Sequence, residues 1–342
     1  MNHDVFFASV KTSSNDGIAC AYLFQGEEEY IKEKALQALR KKILPEGLEP
    51  LNETLLQNPS ATAITEAALT LPFLSEKRLV TVYDLSLLYS SKTGENTDEV
   101  EKLSKYLENP MQTTCLVFYC KTMPDARKKL VKLLRQHAQV VQFDRLSDAM
   151  LARWIQSQAR PKVVSYEDTL FLAFIAGREL LTLSGELSKL VAYVGERSEI
   201  TREDMKKIVT PSMECTVFQM VDALTAGREG EAFRFLAAML ENGESPVGIL
   251  AVITRQYRNL LHLSLLLPGG LPESEIARRV GVPPFVVRKL RPAAQKDGAE
   301  HLKNKLSLCV DTDYAIKSGK TRADAALDRA MLLLCGQQRA IE

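Results

Sequence analysis

In an α/β domain the position best suited to phosphate binding is the junction between the first strand and the following helix, which here reads Leu23-Phe24-Gln25-Gly26-Glu27-Glu28-Glu29. Nucleotide-binding α/β domains hold phosphates at such a junction with a glycine-rich loop and, in P-loops, a Lys-[Ser/Thr] pair. This junction has one glycine, no lysine and three glutamates in the predicted first turn. Carboxylates there suit the helix dipole, but they repel the phosphates of a nucleotide. We therefore expect no ATP, NAD or other cofactor.

A second phosphate-like pattern, Gly319-Lys320-Thr321, occurs near the C-terminus. A P-loop needs another glycine five residues earlier and a preceding strand. Tyr314 occupies that earlier position, within a predicted helix. Lys317, Lys320 and Arg322 are weak candidates for contacts with DNA or another phosphate, and the alternative is a solvated cationic face.

Residues 273–290 follow the spacing of a helix-turn-helix, with a turn glycine at Gly281 between two apolar helical segments. In a DNA-binding regulator, Arg288, Lys289 and Arg291 would then lie near the major groove. The alternative is simply two helices packed against each other at a tight turn.

The cysteine and histidine content argues against a metal centre. The six cysteines form no C-x-x-C pair, and the chain has only four histidines. Structural zinc ligands usually come as closely spaced pairs, so we expect no metal. No Ser/His/Asp, Cys/His or paired-carboxylate constellation stands out either, and we expect no catalytic site.

The overall charge and the distribution of apolar residues bound the possible partners. Lys and Arg number 44 against 43 Asp and Glu, a net charge of +1, which is not the charge footprint of a free-standing DNA binder. Residues 1–7 lack the features of a secretory signal, and no apolar run is long enough to span a bilayer. Unpaired cysteines in apolar runs are typical of a reducing cytosol. We expect a cytoplasmic protein without a membrane partner.

Short apolar runs alternate with helical patterns between residues 20 and 145. Strands are predicted at 20–25, 53–57, 79–83, 115–120 and 139–143, and helices at 27–43, 60–70, 98–108 and 124–137. This alternation predicts a mainly parallel, five-stranded α/β sheet covered on both faces. The polar stretch 90–97 predicts a surface loop.

From residue 147 onward the pattern is entirely helical. Helices are predicted at 147–159, 167–175, 179–194, 201–208, 214–226, 229–241, 245–267, 273–280, 284–296 and 299–335. Breaks near residues 144–147 and at Pro211 divide the chain. We predict an N-terminal tail at 1–17, whose order the sequence leaves open, an α/β domain at 18–145, a small helical domain at 146–210 and a larger helical domain at 211–342.

An apolar cluster separates the helix 60–70 from the strand 79–83, in Leu71-Pro72-Phe73-Leu74-Ser75-Glu76-Lys77-Arg78. The residue before a proline is pushed out of the α region, so the preceding helix cannot simply continue. Phe73 then either projects outward, as the aromatic anchor of a protein-binding hot spot does, or covers the core at the junction.

Several short segments along most of the chain together identify a protein family by their order and spacing, although no single segment would do so. They are residues 22–28, 71–80, 178–180, 185–190, Tyr193, 200–204, 217–223, 276–277, 282–285 and 313–319. Together they resemble the delta subunit of bacterial DNA polymerase III, the clamp-opening member of the clamp loader. The resemblance runs from about residue 21 to residue 334.

The resemblance implies an AAA-type fold in which the α/β domain is followed by a helical lid (146–210) and a helical collar (211–342). It implies a subunit that does not hydrolyse ATP and that belongs to the nucleotidyltransferase complex of DNA polymerase III. The implied partners are the beta sliding clamp, the gamma/tau and delta prime subunits in a hetero-pentamer, and primed DNA through the assembled complex. The implied location is the replisome.

In this family a hydrophobic wedge on the first domain inserts into a pocket of the sliding clamp and opens one interface of the ring. By position, the wedge segment here comprises Leu71, Pro72, Phe73 and Leu74. Two alternatives stay open from the residues themselves: a helix-turn-helix DNA-binding regulator and an AAA-type ATPase motor.

Overall fold

The chain folds into two units of different architecture, Met1–Ser147 and Asp148–Glu342. The computed structural model describes residues 1–15, 17–89 and 97–336. The boundary between the units lies close to residue 145, where the sequence predicts the end of the α/β domain.

A parallel five-stranded sheet forms the centre of the first unit. Its strands are β1 (Ala21–Gln25), β2 (Glu53–Gln57), β3 (Arg78–Tyr83), β4 (Thr114–Tyr119) and β5 (Gln139–Gln142). They are arranged in the order β2-β3-β4-β1-β5, and every neighbouring pair is parallel. The strands β1 and β4 are buried along their whole length. Because both faces of such parallel strands are buried, their sequences are continuous apolar runs without polar alternation. The predicted sheet is confirmed.

The helices described in this unit are α1 (His3–Thr12), α2 (Glu29–Ile43), α3 (Glu49–Asn52), α4 (Ala61–Leu69), α5 (Thr97–Glu108) and α6 (Lys129–His137). In α2 the apolar residues Ile31, Ala35, Leu39 and Ile43, spaced four apart, are buried. Residues 90–96, most of the predicted loop 90–97, lie outside the described residues, and Thr97 begins α5.

Residues 3–12 form the helix α1 rather than part of an N-terminal tail. Asn2 caps this helix by accepting a hydrogen bond from the Val5 N–H. The buried Phe6 ring packs edge-on against Tyr22 and Phe24 of β1, at centroid distances of 5.7 and 5.3 Å. Burial of an aromatic side chain contributes roughly 1.5–3 kcal/mol, so these contacts fix the helix on the sheet.

The second unit is helical. Its described helices are α7 (Asp148–Gln158), α8 (Tyr166–Ala176), α9 (Leu180–Val194), α10 (Arg202–Ile208), α11 (Met213–Thr225), α12 (Glu229–Glu241), α13 (Pro246–Leu266), α14 (Glu273–Val280), α15 (Pro284–Lys317) and α16 (Ala323–Gly336). Among the described residues, no helix has the length and apolarity needed to cross a bilayer. The division into a lid and a collar at residues 210 and 211 falls inside this single unit and stays a prediction.

The predicted helix 299–335 is divided between the C-terminal part of α15 and the helix α16. The helix α15 ends at Lys317, and Gly319 adopts a left-handed φ of 73°. Its neighbour Lys320 donates its N–H back to the carbonyl of Ala315. This is a common way for a helix to end, because glycine tolerates positive φ. Within α15, Gly298 with φ 70° interrupts the helical backbone, in agreement with the predicted break between 296 and 299.

A buried ion pair lies in the core of the second unit, beside the Gly298 break. Lys305 donates to the Asp297 carboxylate at 2.8 Å, and the two side chains are 0% and 4% exposed. The ammonium also lies 5.8 Å from the ring centroid of the fully buried Tyr257. A pair this deep must stay intact, since either charge alone would be buried without compensation.

Candidate functional site

The wedge segment lies in the loop that connects α4 to β3. The helix α4 ends at Leu69, and Thr70 donates its N–H to the Glu66 carbonyl as the last helical hydrogen bond. Pro72 disfavours helical geometry at the residue before it. The chain therefore leaves the helix at this point and reaches β3 at Arg78.

The apolar side chains of the wedge segment face outward. Leu71, Phe73 and Leu74 are 68%, 54% and 76% exposed, and Pro72 is partly exposed. Leu69 at the end of α4 and Leu51 in α3 are exposed as well. A contiguous run of exposed apolar side chains is typical of a protein-binding surface, whereas scattered ones carry no such meaning. Phe73 therefore projects outward rather than covering the core at the junction, and its role as a binding anchor stays a prediction.

A buried asparagine holds the tip of this loop. Asn52, fully buried at the end of α3, accepts a hydrogen bond from the Phe73 N–H at 2.7 Å. Its amide nitrogen donates to the Phe73 carbonyl at 2.9 Å and to the Leu48 carbonyl at 3.2 Å. The side-chain amide thus pairs with the main chain of Phe73 on both sides and leaves the phenyl ring outside.

Charged side chains hold the two ends of the loop. The buried Arg78 donates to the Thr70 carbonyl at 3.3 Å and to the Thr54 hydroxyl at 2.8 Å. Burial lowers the pKa of its guanidinium, which nevertheless stays protonated in proteins. Lys77, also buried, donates to the Ile18 carbonyl at 2.8 Å. The loop is therefore anchored at both ends and at its tip.

Leu74 has a left-handed backbone conformation, with φ 50°. This conformation costs roughly 1–2 kcal/mol in a residue with a Cβ atom. A strained, exposed leucine adds nothing to the core of the free chain. It presents apolar surface to solvent, as a binding residue does.

The junction between β1 and α2 is closed by the chain itself. Gly26, with φ 122°, packs so closely against the Phe143 carbonyl that any Cβ atom at position 26 would overlap it. The Glu28 N–H donates to that carbonyl at 2.9 Å, and the Phe143 N–H donates to the Gln25 carbonyl at 2.8 Å. In nucleotide-binding folds, N–H groups at this position point at a phosphate. Only Glu29 lies within α2, so the expected first turn of three glutamates begins two residues too early.

A buried lysine near the start of α2 bonds to the residue that follows β4. The Lys32 ammonium, 0% exposed, donates to the Cys120 carbonyl at 2.6 Å and to Glu29 at 3.0 Å. Tyr119 donates to the other Glu29 oxygen at 2.7 Å. Burial, together with the hydrogen bond and charge of Glu29, raises the pKa of Tyr119 well above its ordinary value. The polar groups at this end of β1 and β4 thus bind one another.

The candidate phosphate contacts near the C-terminus are engaged within the chain. Lys317 forms an ion pair with Asp313 at 2.7 Å, and Arg322 forms one with Asp324 at 2.8 Å. Lys320 lies 5.2 Å from the ring centroid of Tyr314. These contacts resemble a solvated cationic face, and contact with DNA or phosphate stays a prediction.

The segment 273–290 has the predicted two-helix geometry, with α14 and α15 joined at Gly281 in the left-handed region. Arg288 forms an ion pair with Glu273 at 3.0 Å, and the Lys289 ammonium lies 4.7 Å from the Phe218 ring centroid. Two of the three basic side chains proposed for the groove therefore contact their own unit.

Sequence reasoning missed Asn52 and the role of Arg78. Asn52 lies 21 residues before Phe73 and carries no local signal. Arg78 ends the segment 71–78, but nothing in the sequence indicates its hydrogen bonds to Thr70 and Thr54. Among the described residues, no group of three or more His, Cys, Asp or Glu side chains is placed to hold a metal ion.

Two family models match this chain. The model for DNA polymerase III, delta subunit, matches residues 22–144, and the model for the DNA polymerase III delta subunit, C-terminal domain, matches residues 214–334. The DNA polymerase III subunit delta of Bacillus subtilis is 26% identical over 333 residues, which is 95% of each chain. The probable DNA polymerase III subunit delta of Aquifex aeolicus is 22% identical over 289 residues, covering 83% of this chain and 82% of the relative.

A solved structure shares the fold. The Bacillus subtilis DNA clamp loader delta protein matches with a TM-score of 0.60 and 24% identity, over 98% of this chain and 99% of the other. The ranges matched by the two family models together span more than half of the sequence. The resemblance read from the sequence is confirmed, and the chain belongs to the family of DNA polymerase III delta subunits.

Proposed function

We propose that this chain is the clamp-opening subunit of a bacterial clamp loader and that its wedge segment binds the beta sliding clamp. The observation that carries the proposal is the loop between α4 and β3, which exposes Leu71, Phe73 and Leu74 while its main chain is anchored to buried residues. A rigid loop with an exposed aromatic side chain has the properties of a binding hot spot. Membership of the delta family supports this assignment.

The wedge segment can open a ring only if it binds the open form better than the closed form. Full burial of Phe73 and Leu74 would contribute roughly 1.5–3 kcal/mol each. A complete swing from mostly closed to mostly open requires about 5.5 kcal/mol of differential binding. Because both side chains are already partly covered, the two cannot supply this difference alone. The exposed Leu51 and Leu69 beside them are candidates for the remaining contacts.

In this proposal the chain has no catalytic site of its own and acts within the DNA polymerase III complex. Its other partners are the gamma/tau and delta prime subunits, and it meets primed DNA through the assembled loader at the cytoplasmic replisome. Nucleotide bound by neighbouring subunits would expose or hide the wedge segment. The closed junction at Gly26 and the buried Lys32 support a chain that needs no nucleotide.

Binding to the sliding clamp of the source organism tests the proposal. The isolated chain should form a complex with the purified clamp in the absence of ATP and should accelerate release of the clamp from circular DNA. Failure to form this complex would overturn the proposal.

The same preparation distinguishes the two alternatives. Stoichiometric ATP binding by the isolated chain, measured by calorimetry, would favour an AAA-type motor. Tight, sequence-selective duplex binding that Arg288→Ala relaxes would favour a DNA-binding regulator, whereas a loader subunit should bind duplex weakly and with strong salt dependence.

A further inference from the structure

The side-chain amide of Asn52 pairs with the main chain of Phe73 in the way that a peptide group of a neighbouring strand would. The oxygen accepts from the Phe73 N–H, and the nitrogen donates to the Phe73 and Leu48 carbonyls. The Asn52 side chain is completely buried. Removing its amide would leave the main-chain groups that it binds without hydrogen-bond partners, which costs free energy. The main chain of Phe73, the aromatic residue of the loop, is therefore held by a residue that never reaches the surface.

We propose that Asn52 is the positioning residue of the clamp-binding site: it fixes the main chain of Phe73 before the clamp arrives. This inference rests on the proposed function. Binding a preformed loop avoids the conformational entropy that an unanchored tip would lose on association. For the backbone of one residue that entropy corresponds to about 5- to 30-fold in affinity.

The other anchors of the loop act elsewhere. Arg78 holds the carbonyl of Thr70, before the wedge segment, and Lys77 lies after it. Within the part of the chain that the structure describes, Asn52 is the residue whose side chain hydrogen-bonds to the main chain of Phe73. Loss of the amide should therefore free the tip of the loop while the ends stay in place.

Asn52→Ala tests the inference, and Asn58→Ala is the matched control. Asn58 lies at the other end of β2, where its side-chain oxygen accepts a hydrogen bond from the Ser86 N–H in a loop outside the wedge segment. Calorimetric titration with the purified clamp should give a dissociation constant about 5- to 30-fold higher for Asn52→Ala. Asn58→Ala should bind like the unsubstituted chain.

Asn52→Ala could also weaken clamp binding by disturbing the fold in general. The test therefore compares the effect of Asn52→Ala in the presence and in the absence of the Phe73 side chain. In a Phe73→Ala background there is no phenyl ring to position, and Asn52→Ala should then change the affinity by less than about twofold. An effect of equal size in both backgrounds overturns the positioning role. Clamp affinity of Asn52→Ala equal to that of the unsubstituted chain also overturns it.

A measurement on the unsubstituted chain covers the case in which Asn52→Ala does not fold. Hydrogen exchange of the Phe73 amide should be slowed well below the rate of an unstructured peptide, although the side chain is largely exposed. Exchange at the unprotected rate overturns the inference. The failure of the proposed function is distinct: it appears as unchanged clamp binding when Phe73 and Leu74 are both replaced by alanine.

Discussion

Replacing Phe73 and Leu74 together by alanine tests the clamp-binding site most directly. The two side chains are 54% and 76% exposed in the free chain, so a partner can bury that much of each. With about 1.5–3 kcal/mol for complete burial of such a side chain, the pair should contribute about 2–4 kcal/mol to binding. At about 1.4 kcal/mol for each factor of ten, the dissociation constant for the clamp should rise by about 30- to 700-fold.

The assay is calorimetric titration of the full chain with the clamp, accompanied by denaturant unfolding. On the same scale, the covered parts of the two side chains contribute little to folding, so the free energy of unfolding should fall by only about 1–2 kcal/mol in the double variant. Leu181→Ala is the matched control, since Leu181 is 72% exposed but belongs to the second unit. This variant should bind the clamp like the unsubstituted chain.

Two results would refute the reasoning. One is a double variant that folds normally and binds the clamp within about twofold of the unsubstituted chain. The other is an equal loss of binding in Leu181→Ala, which would indicate general adhesion of apolar surface rather than a site.

Three further predictions concern stability. Leu74→Gly should raise the free energy of unfolding by about 1 kcal/mol, because glycine removes the cost of the left-handed backbone, and should also weaken clamp binding. Lys305→Met should lower the free energy of unfolding of the second unit by about 3–5 kcal/mol, since Asp297 is left buried without its partner. Fluorescence of the single tryptophan during unfolding in denaturant measures this loss. Asp204 accepts hydrogen bonds from Arg197 and from the N–H and hydroxyl groups of Thr201, which hold the pKa of its carboxyl far below the ordinary value. Its contribution to stability should therefore be complete above the unfolded pKa of about 3.9 and be lost as the pH falls toward the folded pKa, and Asp204→Asn should flatten this part of the acid denaturation curve.

Each of these predictions has a contrary outcome. An unchanged or lower stability for Leu74→Gly would mean that the backbone strain at this residue is negligible. A double variant, Lys305→Met with Asp297→Leu, should recover most of the lost stability, and failure to do so would point to packing rather than charge. An acid transition of Asp204→Asn identical to that of the unsubstituted chain would contradict the role given to this carboxylate.

The sheet could be predicted from the sequence because most of its strands are short apolar runs bounded by helical patterns. Residues of β4, for example, are buried on both faces, and such strands have little choice of composition. The helix α1 escaped prediction because it depends on contacts of Phe6 with β1, which a local pattern does not contain. The end of α15 at Lys317 carries a usable signal, the glycine at position 319 after a helical run, but Gly319-Lys320-Thr321 also resembles the end of a P-loop.

The candidate site divides in the same way. Pro72 predicts that the helix ends, and the adjacent apolar residues identify the wedge segment. The main chain of Phe73 is held by Asn52, which lies 21 residues earlier in the sequence and bonds to both the N–H and the carbonyl of Phe73. Such contacts leave no periodic pattern, so the exposed orientation required the structure.

The close approach of Gly26 to Phe143 has a consequence for protein engineering. Grafting a glycine-rich phosphate loop onto the start of α2 would have to break two main-chain hydrogen bonds and displace Phe143, the residue that follows β5. A handful of side-chain exchanges would therefore not turn this domain into an ATPase, because the obstacle is built into the backbone.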